Sequence, residues 1–273
     1  MNESQPDGDR RSFISRRRAF NLIGGAGLVA LLGACASKRA PGVTPDSSSS
    51  MSASLVATTD PQPSPPTDQA TASVTPTGVA KSMLCREAWG ARAALPGGTP
   101  QVPSQITIHH SAVTLGDNRN APERIRADQR YHQDSQGWID IAYHIGIDLQ
   151  GNIYQLRDPE IEGDTATSYD PAGHLLILCE GNFDQEEVTE QLIESVAVAC
   201  AWGVNRYAIS PDLIAGHRDF AATSCPGANL YTRITSGEVR RRVETLVASG
   251  AGNLQLICGP EAVAMVEAIE AGG

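Results

Sequence analysis

The sequence predicts an α/β domain in which a mixed central β-sheet carries helices on both faces, preceded by a disordered amino-terminal linker. Three observations carry that expectation. Strand-like and helix-like segments alternate irregularly after Met83. Gln150-Gly151-Asn152 separates two apolar segments in the manner of a hairpin turn. His174-Leu175-Leu176-Ile177-Leu178-Cys179 is a continuous apolar run, as expected of a strand covered on both faces.

The segment before the domain reads differently. Residues 1–35 have the layout of an export signal: Arg16-Arg17-Arg18, then an apolar stretch from Leu22 to Leu32, then Gly33-Ala34-Cys35. The apolar stretch is too short and glycine-rich for a confident membrane span. Small residues directly before Cys35 resemble a bacterial lipoprotein signal, in which the cysteine is lipidated and becomes the new amino terminus. Arg17-Arg18-Ala19-Phe20 also resembles a twin-arginine signal. Residues 36–81 are rich in Ser, Thr and Pro and lack aromatics, so they cannot offset the entropy of ordering and should form a tether. The expected location is the cell envelope outside the cytoplasm, with the membrane touched only through lipid on Cys35. A formal net charge of -10 excludes a nucleic-acid footprint.

Within the domain, expected over residues 82–250, Trp89 reads as a core anchor. Gln105-Ile106-Thr107-Ile108-His109-His110 alternates as a strand does and ends on two histidines, which period two sends to opposite faces. One of them should therefore reach a cleft. Ala121 to about Asp134 reads as a helix in which His132 is structural, and Gly137-Trp138 ends it. Ile139 to Asp148 is expected to be a strand carrying Tyr143, with Ile153 to Leu156 as its hairpin partner. Glu187 to about Tyr207 is the clearest helix, with Val188, Leu192, Ile193, Val196, Ala199, Cys200 and Gly203 at helical spacing. A closing helix runs from about Glu238 to Ala248. The tail, residues 251–273, holds Cys258 and a short possible helix from Pro260; the sequence does not place it.

The chemistry concentrates in Gly216-His217-Arg218-Asp219-Phe220 and Thr223-Ser224-Cys225-Pro226-Gly227. His217 and Cys225 are too far apart for one helical turn but suit a loop that folds back on itself. Imidazole and thiolate are preferred zinc ligands, and a catalytic zinc site needs a third ligand and an open position. A strand-end histidine could supply the third.

Taken with Trp89-Gly90-Ala91-Arg92, Ile108-His109-His110-Ser111-Ala112 and Gly137-Trp138-Ile139-Asp140-Ile141-Ala142-Tyr143-His144, these segments resemble the type 2 N-acetylmuramoyl-L-alanine amidases, a family that includes the peptidoglycan recognition proteins. The match covers roughly residues 85–250, in order. The resemblance implies a zinc amidohydrolase cutting the amide between N-acetylmuramic acid and L-alanine of peptidoglycan stem peptides. It implies peptidoglycan or muropeptides as partners, and the expected state is a monomer. By position it assigns His109, His217 and Cys225 as metal ligands, Tyr143 as the catalytic tyrosine and Thr223 as a group near the reacting carbonyl. Neutral imidazoles and one thiolate leave such a site a net Lewis acid, and a tyrosine suits hydrogen-bond donation better than base catalysis. The alternative is a module of the same fold that binds peptidoglycan without cutting it; relatives of that kind typically lack the cysteine ligand.

Two departures from the family stand out: the loop after the hairpin, and Ala172-Gly173-His174-Leu175 in place of the relatives' Asn-Ser-Ile-Gly strand entry. Relatives often carry a cleft histidine after the hairpin, where this chain has Gly163-Asp164-Thr165, and His174 is a candidate to stand in for it. Among the remaining cysteines, Cys179 reads as a small core residue. The disulfide of some relatives suggests Cys85–Cys200, with Cys85–Cys258 left open.

Overall fold

The computed structural model describes residues 80–273. The expected signal, Cys35 and nearly all of the tether lie outside the described residues.

Among the described residues, seven strands form one sheet: β1 (Lys81–Leu84), β2 (Gln105–His110), β3 (Ile145–Ile147), β4 (Ile153–Gln155), β5 (His174–Cys179), β6 (Ile214–Gly216) and β7 (Leu254–Ile257). Their spatial order is β6-β2-β5-β3-β4-β1-β7. Every pairing is parallel except the β3–β4 hairpin, which makes the sheet mixed as expected. The helices are α1 (Ala121–Tyr131), α2 (Glu190–Tyr207), α3 (Ala228–Thr235), α4 (Glu238–Ala248) and α5 (Gly259–Glu270).

Two apolar clusters fill the two faces of the sheet. Ile106, Ile108, Leu175 and Ile177 pack with Leu192, Val196 and Cys200 of α2 and Val239 and Val243 of α4. Leu84, Tyr154 and Leu178 pack with Trp89, Ile125 of α1 and Val266 of α5. Strand β5, covered on both faces, is buried along its whole length, as its unbroken apolar run requires. Trp89 is fully buried and its indole N–H donates to the Gln155 carbonyl at 2.8 Å, so it is the anchor expected of it. Cys85 and Cys200 belong to clusters on opposite faces of the sheet. That separation rules out the Cys85–Cys200 disulfide.

Local signals account for the helix ends. Thr189 caps α2 by accepting from the Leu192 N–H at 3.1 Å, an interaction worth about 1 kcal/mol, so the helix starts after Glu187. Beyond α1 the chain continues through a wider turn, His132–Gln136, and stops at Gly137, whose φ of 73° is left-handed.

The expected strand over Ile139–Asp148 shrinks to Ile145–Ile147. Polar side chains hold the rest in an irregular path. The Asp140 carboxylate accepts from Gln129 at 2.7 Å and from the Ile141 N–H at 2.8 Å, and it pairs with Arg86. Buried Arg157 donates from Nε to the Ile141 carbonyl at 2.8 Å and also bonds the Asp140 carbonyl. Backbone groups that would have extended the ladder are occupied by side chains, so Tyr143 rides a pinned loop rather than a strand.

The tail does have a place. Strand β7 pairs with β1 at the sheet edge, and α5 returns across α1.

Candidate metal centre

Strand β2 lies between β5 and β6, and all three run parallel. Ile108 pairs with Gly216, so His109 and His217 emerge side by side at the carboxyl ends of adjacent strands, where open parallel sheets place their binding sites. Cys225 comes back to the same point through a loop held at several places. The Arg218 N–H donates to the Cys225 carbonyl at 3.0 Å, the Arg218 guanidinium bonds the Ser224 carbonyl, and it lies 4.5 Å over the Tyr231 ring. Asp219 accepts from the Gly216 N–H and from the Tyr231 hydroxyl. Arg218 and Asp219 therefore hold the loop. Gly227 is required for its closure: a Cβ there would stand 2.5 Å from the Phe183 carbonyl carbon, and its φ is +87°.

One donor atom each from His109, His217 and Cys225 lies within 4.8 Å of the others, and all three side chains are buried. His109 Nδ1 stands 3.7 Å from Cys225 Sγ. Tetrahedral zinc with ordinary Zn–N and Zn–S bond lengths imposes about 3.6 Å on such a pair. The outward nitrogens are matched to hydroxyls. Thr167 Oγ1 is 2.8 Å from His217 Nε2, and the Tyr169 hydroxyl is 3.5 Å from His109 Nε2, which leaves Nδ1 of each ring to face the cluster.

The electrostatics suit a cation. Burial, and then the neighbouring imidazoles, hold His109 well below the usual histidine range, and burial lowers His217 to about 4. Both rings are therefore neutral and able to ligate at physiological pH. Burial pushes the Cys225 thiol up to about 12, partly offset by the His110 N–H that points at its sulfur. A divalent ion reverses that balance, because its charge stabilises the thiolate. Two neutral nitrogens and a latent thiolate, converging at zinc-like spacing, fit this metal.

Around the cluster lies a cleft of about 240 Å³. Tyr131, His132 and Trp138 are among the residues lining it, together with Asp164, Thr165 and Thr167 from the loop after the hairpin. Tyr143 lies beside this donor cluster with its ring 5.1 Å from that of His109. Burial raises its hydroxyl well above the ordinary tyrosine value, so it stays protonated and can donate. Thr223 also lines the cleft; its Oγ1 accepts from the Cys225 N–H at 3.2 Å, which leaves the hydroxyl proton to be donated elsewhere.

The other histidines sort cleanly. The His110 ring packs beside Phe183, whose N–H it accepts at 3.3 Å. Buried His132 accepts from the Ala142 N–H at 3.2 Å and so braces the loop carrying Tyr143, a structural role that also forms part of the cleft wall. His174 does not stand in for a cleft histidine. It is buried in the sheet, with Thr107 Oγ1 2.6 Å from Nδ1 and Gln105 Nε2 2.7 Å from Nε2, and its ring backs onto Tyr169. Sequence reasoning missed Thr167, Tyr169 and Arg157. Their hydroxyls and guanidinium act on residues far along the chain, and no local pattern marks them.

Fold and site together define an α/β domain with a histidine–histidine–cysteine cluster at the carboxyl ends of parallel strands. Residues 99–228 match the family model described as N-acetylmuramoyl-L-alanine amidase. The peptidoglycan-recognition protein LB of Drosophila melanogaster is 32% identical over 166 residues, covering 58% of this chain and 70% of that protein. The peptidoglycan-recognition protein SC1a of the same species is 30% identical over 155 residues, 56% of this chain and 83% of the relative. The solved structure of wild-type Drosophila PGRP-LB superposes with a TM-score of 0.51 at 28% identity, covering 57% of this chain and 94% of that one. Peptidoglycan recognition protein LE, solved in complex with tracheal cytotoxin, a monomeric diaminopimelic acid-type peptidoglycan, gives 0.52 at 29% identity, covering 56% of this chain and 92% of that one. The chain belongs to the N-acetylmuramoyl-L-alanine amidase and peptidoglycan recognition protein family.

Proposed function

We propose that this chain is an exported, zinc-dependent N-acetylmuramoyl-L-alanine amidase that cuts the amide between N-acetylmuramic acid and L-alanine in peptidoglycan or muropeptides. The observation that carries the reading is the cysteine: Cys225 completes a compact donor set with His109 and His217. A fold that only bound its ligand would have no need of it.

Zinc, when bound, supplies a Lewis acid and a nucleophile at neutral pH. The chain's own groups do the rest. The protonated Tyr143 hydroxyl donates to the carbonyl oxygen as negative charge grows there, and Thr223 provides a second donor from the opposite loop. Thr167 and Tyr169 hold the ligand rings from behind. The aromatic wall formed by Tyr131 and Trp138 offers apolar contact to a sugar or peptide. That a relative was solved with a muropeptide supports the same class of ligand for this cleft.

With it go an export signal over residues 1–35, lipid on Cys35 and the Ser/Thr/Pro-rich tether that follows, which would let a monomeric domain, extended past residue 250 by β7 and α5, reach the wall from a membrane anchor. A second reading, binding without cleavage, is favoured by the loop at Gly163-Asp164-Thr165, which offers no cleft histidine. Purified peptidoglycan incubated with the protein separates the two. Release of free stem peptides that stops with a chelator and with Cys225→Ala supports the amidase. Retention on peptidoglycan with no release supports the module.

A further inference from the structure

Outside the cleft, the thiols of Cys85 and Cys258 and the Glu87 carboxylate form a second cluster, with donor atoms within 4.8 Å of one another. Both cysteines lie beyond residues 99–228, the span of the family match. The backbone has already aligned them. Leu84 pairs with Ile257 in the parallel β1–β7 ladder, and the Cys85 N–H donates to the Ile257 carbonyl at 3.0 Å, so the next residue of each strand is a cysteine. Strand β7 is held weakly otherwise. It is four residues long, sits at the sheet edge, and Leu256 is 46% exposed. Yet it anchors α5, whose Ala262, Val266 and Ile269 share a core with Trp89 and Ile125, and whose Glu270 pairs with Arg126 of α1. Helix α1 in turn ends at Tyr131, a wall of the cleft.

We propose that Cys85 and Cys258 close a reversible disulfide that fastens the carboxy-terminal strand and helix to the domain and, through α5, braces α1. Thiol–disulfide exchange with a disulfide oxidant, glutathione disulfide or a protein disulfide donor, closes it. Cys258 is exposed and reacts with the oxidant first. Its thiolate breaks the oxidant's S–S bond, forming a mixed disulfide and releasing one thiol. The Cys85 sulfur then attacks the Cys258 sulfur and expels the second thiol. Two S–H protons leave the protein, and two electrons reduce the oxidant to two thiols. Cys85 is buried, and burial followed by its hydrogen bonding with Cys258 raises its thiol to about 11, which makes it the slower partner and leaves Cys258 the entry point. The inference is independent of whether the cleft hydrolyses its ligand.

The test equilibrates the full chain with oxidised or reduced glutathione under metal-free conditions, followed by peptide mapping and thermal unfolding. The expected result is a linked peptide joining Cys85 to Cys258 in the oxidised sample alone. Its midpoint should rise by roughly 5–15 °C, a gain that dithiothreitol reverses and Cys258→Ser abolishes. Free thiols at both positions in oxidised glutathione, or linkage of either cysteine to a different one, would overturn the proposal. So would a tightly held second zinc per chain, measured in reduced protein loaded with zinc and then desalted, that disappears in Cys258→Ser, because the cluster would then be a metal site.

Discussion

Cys225 Sγ stands 3.7 Å from His109 Nδ1, although 116 residues separate them in the chain. Each is placed by a different device, one by a strand end and the other by a loop tied through Arg218. Their spacing predicts a direct metal–sulfur bond. Cobalt loaded in place of zinc should give a thiolate-to-metal charge-transfer band that is absent in Cys225→Ser. Zinc at 100 times its Kd should raise unfolding stability by about 2.7 kcal/mol, and a chelator should remove that gain.

Tyr143 makes no side-chain hydrogen bond among the described residues, and its ring lies against His109. A hydroxyl left free beside the ligands matters only when an acceptor arrives. Tyr143→Phe should therefore keep the fold and zinc content while lowering kcat by about 100- to 1,000-fold, with KM little changed. Steady-state kinetics on a defined muropeptide reads the split. An equal loss in metal content would assign the tyrosine to the metal site's integrity instead.

Thr167 touches His217 from 50 residues away, on the loop that also lines the cleft. Fixing the outward nitrogen sets both the tautomer and the direction of the coordinating one. Thr167→Val removes the oxygen at nearly constant volume. Zinc affinity should fall by about 10- to 100-fold in a competition titration, with unfolding by denaturant little altered.

What was legible in the sequence was what local pattern encodes. A period-two strand ending in His109-His110, a loop carrying His217 and Cys225, and an uninterrupted apolar β5 could each be read from neighbours in the chain. Even so, only the resemblance singles out His109 over His110, because alternation says that the two diverge and not which one faces the cleft. Thr167, Tyr169 and Arg157 were invisible because each acts on a residue that only the folded chain brings near. The strand expected at Ile139 is cut short in part for the same reason: its own Asp140 takes the Ile141 N–H, and Arg157, 16 residues on, takes the Ile141 carbonyl. Strand β7, with two of four residues exposed, has too little burial to show a pattern.

His132 accepts the Ala142 N–H, and burial lowers it to about 4. The sign follows from which state takes up the proton. Between about pH 6.5 and 4 the unfolded chain protonates this side chain and the folded one does not. The stability it contributes is thus present above the unfolded pKa and lost as pH falls through that window, with a slope approaching about 1.4 kcal/mol per pH unit. In His132→Asn the amide oxygen replaces Nδ1 as acceptor but cannot protonate. Denaturant unfolding at pH 7 and pH 5 should show a smaller drop in the variant than in the parent.

Glu180 is fully buried and neither carboxylate oxygen has a hydrogen-bond partner among the described residues. It follows Leu178 on the face of β5 that looks toward α1, where Arg124 is already paired with Asp128. Burial, and then the charge of Asp128, raises its carboxyl well above the ordinary glutamate range. The folded state keeps the proton that the unfolded chain releases above about pH 4.5, so its stability is undiminished below that value and falls as pH rises. Glu180→Leu removes the ionisable group at similar volume and leaves the Arg124–Asp128 pair in place. The variant should exceed the parent at both pH 4 and pH 7, with the gap wider at pH 7 by on the order of 1–3 kcal/mol. A variant that is less stable at pH 7 would mean that Glu180 has a charged partner on folding, and Arg124, whose Nε is itself buried without an acceptor, would be the first to examine.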